Sequence, residues 1–349
     1  MSEPHPPMRR PAELVAAGLL AAADLPGAEA AAAPFPLLLP AGLAALIDPA
    51  DPADPIARQF IPGAEESDLR PEDRADPIGD AAYSPLPGLV HRYPDRVLLT
   101  PTLACAAHCR FCFRRVRVGA GPVRMTPAEL DAALGYIAAH PELREVVLTG
   151  GDPLTLGAET LAALFARLAA LPQLDLIRVH TRLPVAAPER LTPALVAALT
   201  PPPGADLAVW VAVHVNHPRE LSPATDAALA RLAEAGLPLL AQTVLLKGVN
   251  DRAETLETLF RALVRRRVRP YYLHHPDLAP GTAHFRPTLA EGRALMRALR
   301  GRISGFALPT YVLDIPGGYG KVPVGPDYWD EQAREVTDPH GHRHPRPQG

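Results

Sequence analysis

The stretch Val97-Leu-Leu-Thr-Pro-Thr-Leu103-Ala-Cys105-Ala-Ala-His-Cys109-Arg-Phe-Cys112 sets the reading of the whole sequence. It is a short apolar run followed at once by three cysteines in C-x3-C-x2-C spacing. Further runs of the same kind follow at Glu145–Thr149, Leu176–His180, Leu207–Val215, Pro238–Leu246 and Pro270–His274. After a wider first gap they return about every thirty residues, with helical patterns at Thr126–His140, Thr160–Leu171 and Pro223–Ala235 between them. Strand–helix alternation at that period marks parallel βα units. Six units fall short of the eight of a closed barrel, so an α/β fold follows: a partial (βα)6 TIM-like barrel or an open doubly wound sheet. In either, functional side chains belong at the carboxyl ends of strands.

Three thiolates at this spacing can wrap one loop around three irons of a [4Fe–4S] cluster and leave the fourth iron without a protein ligand. The sequence has 3 cysteines in all, so no fourth thiolate exists to close the set. The competing reading is structural zinc with His108 completing Cys3His, although His108 adjoins Cys109 and tetrahedral ligation by neighbours is strained. One tight, odd-numbered cluster argues against a secreted disulfide framework.

Away from this loop the sequence divides by composition. Residues 1–85 are rich in Ala, Pro and Asp and read as a helical extension, with an amphipathic helix after Arg9-Arg10. Glu13, Asp24 and the prolines at 4, 6, 7 and 11 favour that helix over the alternative of a signal peptide, and the cytoplasm is the expected compartment. Residues 86–285 carry the βα units, 286–330 a C-terminal segment, and 331–349 a flexible tail whose His340-Gly-His-Arg-His344 reads as a frayed end. With 48% hydrophobic and 21% charged residues over 349 positions a large core is available, and disorder is excluded. The formal charge of −3 gives no footprint for nucleic acid or anionic membrane, and no apolar run is long enough to span a bilayer.

Cations are written almost entirely as arginine. Only Lys247 and Lys321 are lysines among 35 basic residues, which singles them out for chemistry that guanidinium cannot perform. An amine on a flexible stem can form an imine, and pyridoxal phosphate is its natural electrophile. Lys321 lies in Asp314-Ile-Pro-Gly317-Gly318-Tyr-Gly320-Lys321, a glycine turn that fails the P-loop pattern. Lys247, in Leu245-Leu-Lys-Gly-Val-Asn-Asp251, is the alternative.

The cysteine loop, with Phe111 before its last cysteine, resembles the signature of the radical S-adenosylmethionine superfamily. Leu148-Thr-Gly150-Gly151-Asp152-Pro153 resembles that superfamily's loop for the amino group of S-adenosylmethionine. From about Leu43 to Trp329 the chain resembles the lysine 2,3-aminomutase family, on Pro87–Arg96, Cys112-Phe-Arg114-Arg115, His214-Val-Asn216-His217-Pro, Gln242–Asp251, Asp277–Arg286 and Asp314–Lys321. The resemblance implies that Cys105, Cys109 and Cys112 hold the cluster, and that Gly150, Gly151, Asp152, His214 and Asn216 serve the cofactors. It further implies that Lys321 holds pyridoxal phosphate, with Arg92, Tyr93, Arg96 and Gln242 around the coenzyme phosphate. Arg114 would pair with the substrate carboxylate, and Asp277 and Asp314 with the side-chain ammonium of L-lysine. It implies conversion of L-lysine to β-lysine, an electron donor such as flavodoxin or ferredoxin, and a homo-oligomer. Clostridial-type members carry further cysteines for zinc and a longer C-terminal part used in subunit contacts, and neither is carried over. Alternatives are the branch supplying β-lysine to elongation factor P, an aminomutase for another amino acid, a relative without pyridoxal phosphate, and a non-catalytic iron–sulfur or zinc module.

Overall fold

In the computed structural model the described residues are 6–118, 123–201 and 204–345; Pro4 of the N-terminal stretch and residues 346–349 of the tail lie outside them. Among the described residues the main sheet has nine strands in chain order. They are β1 (Leu89–Tyr93), β2 (Arg96–Thr102), β3 (Glu145–Gly150), β4 (Leu176–Thr181), β5 (Ala208–His214), β6 (Leu239–Val244), β7 (Val268–His274), β8 (Thr310–Asp314) and β9 (Lys321–Pro323). Strands β2 to β8 run parallel, and β1 and β9 add antiparallel edges. All six strands expected from the apolar runs are present, in a sheet that curls into a half-barrel. The additional β8 is short and follows an irregular stretch, and β9 is three residues ending in Pro323. Neither carries a period-2 pattern long enough to be seen in sequence.

Helices Pro127–Ala138, Ala158–Ala169, Pro223–Glu234 and Ala253–Arg265 cover the convex face. Thr126, with Glu129, closes a capping box at the first, and Ser222 caps the third. The last buries Leu256, Leu259, Phe260 and Leu263, the i, i+3, i+4, i+7 stripe of a helix packed on a sheet. Strand alternation does the rest. On β4, Ile177 and Val179 are buried against helices while Arg178 and His180 take the concave side. On this strand the concave side is therefore polar, and it faces a chamber where a closed barrel would hold a packed core.

Two expectations at the ends are corrected. The stretch after Arg9-Arg10 is no continuous amphipathic helix: Pro11–Ala16 stops before Gly18 at φ +70, and a second helix spans Leu25–Ala32. Glycine is needed in that left-handed turn, which ends the first helix. The segment expected to be frayed holds three short antiparallel strands, Trp329–Asp330, Glu335–Thr337 and Arg343–Pro345, with His342 and His344 both on Asp338. No helix among the described residues is long and apolar enough to cross a membrane.

Candidate active site

The cysteine loop leaves the carboxyl end of β2 and is anchored from below by buried charge. Glu66 takes Arg110 at 2.6 Å and also pairs with Arg115, and all three side chains are at most 3% exposed. Arg110 donates to the Phe35 carbonyl and Arg115 to that of Gly281, so the extension and the β7 loop clamp the cysteine loop between them. This clamp was not visible in sequence. Glu66→Ala would leave two guanidinium groups buried without a counter-charge, and removing one partner of a buried pair costs about 3–5 kcal/mol. Urea titration of the variant should show a loss of that size; a change below about 1 kcal/mol would mean solvent already screens the trio.

Burial pushes all three thiols up, Cys112 to about 11, and the neighbouring cysteines reinforce this at Cys105 and Cys112. Arg182 opposes it at Cys109: its guanidinium donates to Cys109 Sγ at 2.8 Å, and to Gln59 Oε1 and Glu220 Oε2 at 2.8 and 2.6 Å, over the rings of Phe60 and Phe111. A cation so placed suits a thiolate, the form that binds iron. His108 turns its Nδ1 to the Pro36 carbonyl at 2.8 Å. Among the described residues no three His, Cys, Asp or Glu side chains close on a single-ion position. Thiolates that each bind their own iron of a cuboidal cluster need not do so.

Beside this loop, β3 ends in Gly150 and Gly151. A Cβ on Gly151 would stand 2.3 Å from the Ala104 carbonyl oxygen, so the turn must be glycine to lie against the cysteine loop. Asp152 was expected to serve the cofactor, but its carboxylate is spent inside the protein. It accepts from Thr181 Oγ1 at 2.8 and 2.9 Å and from the amides of Leu154, Arg182 and Leu183. Those bonds offset the burial that pushes its acidity down. Asn216 is similarly engaged, with Gln59 Oε1, the Val244 amide and His214 Nε2. Both residues therefore brace the loops, and the Gly151 amide donates to the Thr102 carbonyl at 2.8 Å. His214, pushed down to about 3 by burial and by Arg182, is a neutral ring 5.6 Å from Phe111.

The far end of the chamber is built where the two sheet edges meet. Tyr93 Oη on β1 accepts from the Lys321 amide on β9 at 2.9 Å, and Arg96 stacks 3.8 Å from the Tyr93 ring centroid. Lys321 Nζ pairs with Asp314, its register partner on β8, and lies 3.2 Å from His274 Nδ1 on β7. Asp277, just past β7, is pushed up to about 7, first by burial and then by Asp314, against the pull of Lys321 and Arg114. Two carboxylates and one amine thus share one buried region. Gln242 on β6 approaches His180 Nε2 at 3.4 Å. Lys247 is exposed on the loop after β6, away from this set.

Arg92 and Arg114 meet across Asp80, at 2.8 and 3.2 Å, and Arg114 also reaches Thr149 at 3.3 Å. Asp80 and Arg114 line the wall of a cavity of about 480 Å³ that opens between Asp76–Gly88 and Phe113–Arg117. Arg92 Nε and His274 Nε2 are buried and have no partner among the described residues. Asp80, Arg182, His180 and His274 were not singled out from sequence, because no local spacing marks them.

A curled half-barrel with three cysteines after its first parallel strand and a glycine turn after the next defines a radical S-adenosylmethionine enzyme. The radical SAM superfamily model matches residues 99–260, and the model described as lysine-2,3-aminomutase matches residues 296–337. L-Lysine 2,3-aminomutase of Clostridium subterminale is 43% identical over 290 residues, 83% of this chain and 69% of that protein. The L-lysine 2,3-aminomutase of Acetoanaerobium sticklandii is 43% identical over 283 residues, 81% of this chain and 67% of that protein. The glutamate 2,3-aminomutase of Clostridioides difficile is 37% identical over 283 residues, covering 81% and 66%. Among solved structures, a radical SAM methyltransferase from Sphaerobacter thermophilus has a TM-score of 0.45 at 20% identity, over 64% of this chain and 68% of that one. The chain belongs to the lysine 2,3-aminomutase family, and is an isomerase of the radical S-adenosylmethionine superfamily. That superfamily works with a [4Fe–4S] cluster and S-adenosylmethionine.

Proposed function

We propose that this chain moves the 2-amino group of L-lysine to C3, giving β-lysine, with the cluster on Cys105, Cys109 and Cys112 and pyridoxal phosphate on Lys321. The observation that carries the reading is the convergence of Lys321, Asp277 and Asp314 in one buried region, with the Arg114 guanidinium close enough to act on Asp277. A diamino acid fits that charge pattern at both ends.

Pyridoxal phosphate fits the residues present. Lys321 offers a primary amine, and the buried Arg92 Nε and His274 Nε2 are donors still without acceptors. Arg96 and Gln242 stand near Tyr93 and His180 as groups for its phosphate and ring. Bound there, it would supply an electron sink that stabilises a substrate radical; S-adenosylmethionine would supply the hydrogen-abstracting group.

The chain's own residues bind, orient and exclude water. Arg114 holds its two partners only at 3.2 and 3.3 Å, the long end of hydrogen bonding, so a substrate carboxylate can displace Asp80 or Thr149 at small cost. Asp277 and Asp314 receive the ε-ammonium when Lys321 turns to the coenzyme, exchanging one cation for another between the same acids. Neutral His180 and His214, depressed by burial, line the chamber without adding charge. The Gly150–Gly151 turn lets backbone approach S-adenosylmethionine closely. Glutamate would bring a third carboxylate against Asp277 and Asp314, which opposes its use. A reductant delivers the electron to the cluster, and assembly into a homo-oligomer belongs to the same proposal.

The test is anaerobic incubation of the reconstituted protein with L-lysine, dithionite, S-adenosylmethionine and pyridoxal phosphate, followed by chiral chromatography. β-Lysine is the expected product. A β-amino acid formed from glutamate, or from another amino acid, with none from lysine, would overturn the substrate assignment.

A further inference from the structure

His274 stands in a position that the amine-and-two-acids reading leaves unused. Its Nδ1 lies 3.2 Å from Lys321 Nζ and 4.0 Å from the Asp314 Oδ2 that pairs with the same amine. The opposite ring nitrogen, Nε2, is buried with no partner among the described residues. With Nδ1 accepting from Nζ, the neutral ring must carry its hydrogen on Nε2, and a buried donor without an acceptor is costly unless a ligand supplies one. The ring is held by its place at the end of β7, 5.6 Å edge-to-face from Tyr272.

We infer that His274 is the proton acceptor of Lys321: Nδ1 takes a proton from the Nζ ammonium, freeing the lone pair with which Lys321 attacks a carbonyl carbon. The inference rests on the reading of Lys321 as the pyridoxal phosphate lysine. One N–H bond breaks at Nζ and one forms at Nδ1, so the ammonium becomes an amine and the imidazole an imidazolium. The carbonyl oxygen that Lys321 displaces leaves as water, and the proton on Nδ1 goes with it, so the ring returns to its neutral form. No oxidant or reductant is involved.

The groups facing this pair come from several elements. Asp314 on β8 and Asp277 past β7 are the acids; His180 on β4, His214 on β5 and Arg114 from the cysteine loop lie on the remaining sides, with Tyr93 and Tyr272 as neutral neighbours. Burial, Lys321 and the two histidines all disfavour a charged His274. The proton is therefore held only briefly, as a shuttle requires. A carboxylate such as Asp314, far less basic than imidazole, holds Lys321 as an ammonium in an ion pair and does not take its proton.

The test follows covalent attachment of pyridoxal phosphate to the full-length chain, trapped with borohydride at timed intervals and located by mass spectrometry, between about pH 6 and 9. For the wild type, label at Lys321 is expected, rising quickly at pH 7. Glutamine keeps an acceptor near Nζ but exchanges no proton, so His274→Gln should label the same residue at least about tenfold more slowly at pH 7. Its rate should climb steadily toward alkaline pH, as the free amine fraction grows. His274→Ala should regain rate when imidazole is added. Wild-type rate and pH profile in His274→Gln, or no response of His274→Ala to imidazole, would overturn the proton-transfer role. Absence of label at Lys321 in the wild type would instead overturn the pyridoxal phosphate assignment on which it rests.

Discussion

Lys321→Arg is expected to give a folded chain that forms no measurable β-lysine, a loss of at least about 10³-fold, as when a covalent anchor is removed. Arginine keeps a cation beside Asp314, so the two acids stay compensated and the β8–β9 hairpin keeps its cross-strand pair. It cannot form an imine. Lys321→Ala adds a second injury by leaving Asp277 and Asp314 facing each other without a counter-charge, so the arginine variant isolates the chemistry. Borohydride trapping should find no pyridoxal phosphate on Lys321→Arg. Reductive cleavage of S-adenosylmethionine should persist, because the cysteine loop and the Gly150–Gly151 turn sit on the other side of the chamber. Substantial β-lysine from this variant would move the coenzyme to Lys247 or remove it from the reaction.

Asp314→Asn should be nearly as damaging, through binding. The amide keeps the size of the side chain and removes a charge from the pair that receives the substrate ammonium. Loss of one partner of a buried ion pair costs about 3–5 kcal/mol, so the KM for L-lysine should rise by about 10²–10⁴-fold. Asp277 adds a pH dependence. Its carboxyl is pushed up to about 7 in the ligand-free chain, so below that pH it is largely protonated and must lose its proton to pair with the ammonium. Affinity for L-lysine should therefore fall as pH drops through 7, by up to about tenfold per pH unit, and level off above it. Michaelis profiles from pH 6 to 8.5 read this directly, and Asp277→Asn should flatten the dependence. A wild-type KM that is constant over that range would remove Asp277 from substrate binding.

The βα period and the cysteine spacing were legible in sequence because both are local. Cysteines within seven residues of one another are constrained by covalent geometry, and a strand buried against helices writes its own apolar run. The rarity of lysine made Lys321 visible for a different reason, composition, which needs no fold at all. β8 and β9 escaped notice because they are stabilised by sheet neighbours rather than by pattern. For Asp152 and Asn216 only hydrogen-bond geometry shows that their side chains are spent on Thr181, Gln59 and nearby amides.

By itself the sequence determined the fold class and singled out the three-cysteine loop and two candidate lysines. Tertiary structure alone decided which groups complete them. Arg182 reaches Cys109 across 73 positions of chain, Glu66 reaches Arg110 across 44, and His274 reaches Lys321 across 47. No spacing rule spans such intervals. Those contacts depend on how far the sheet curls and on which side chains each strand turns inward, and both are settled only when the whole sheet packs under its helices.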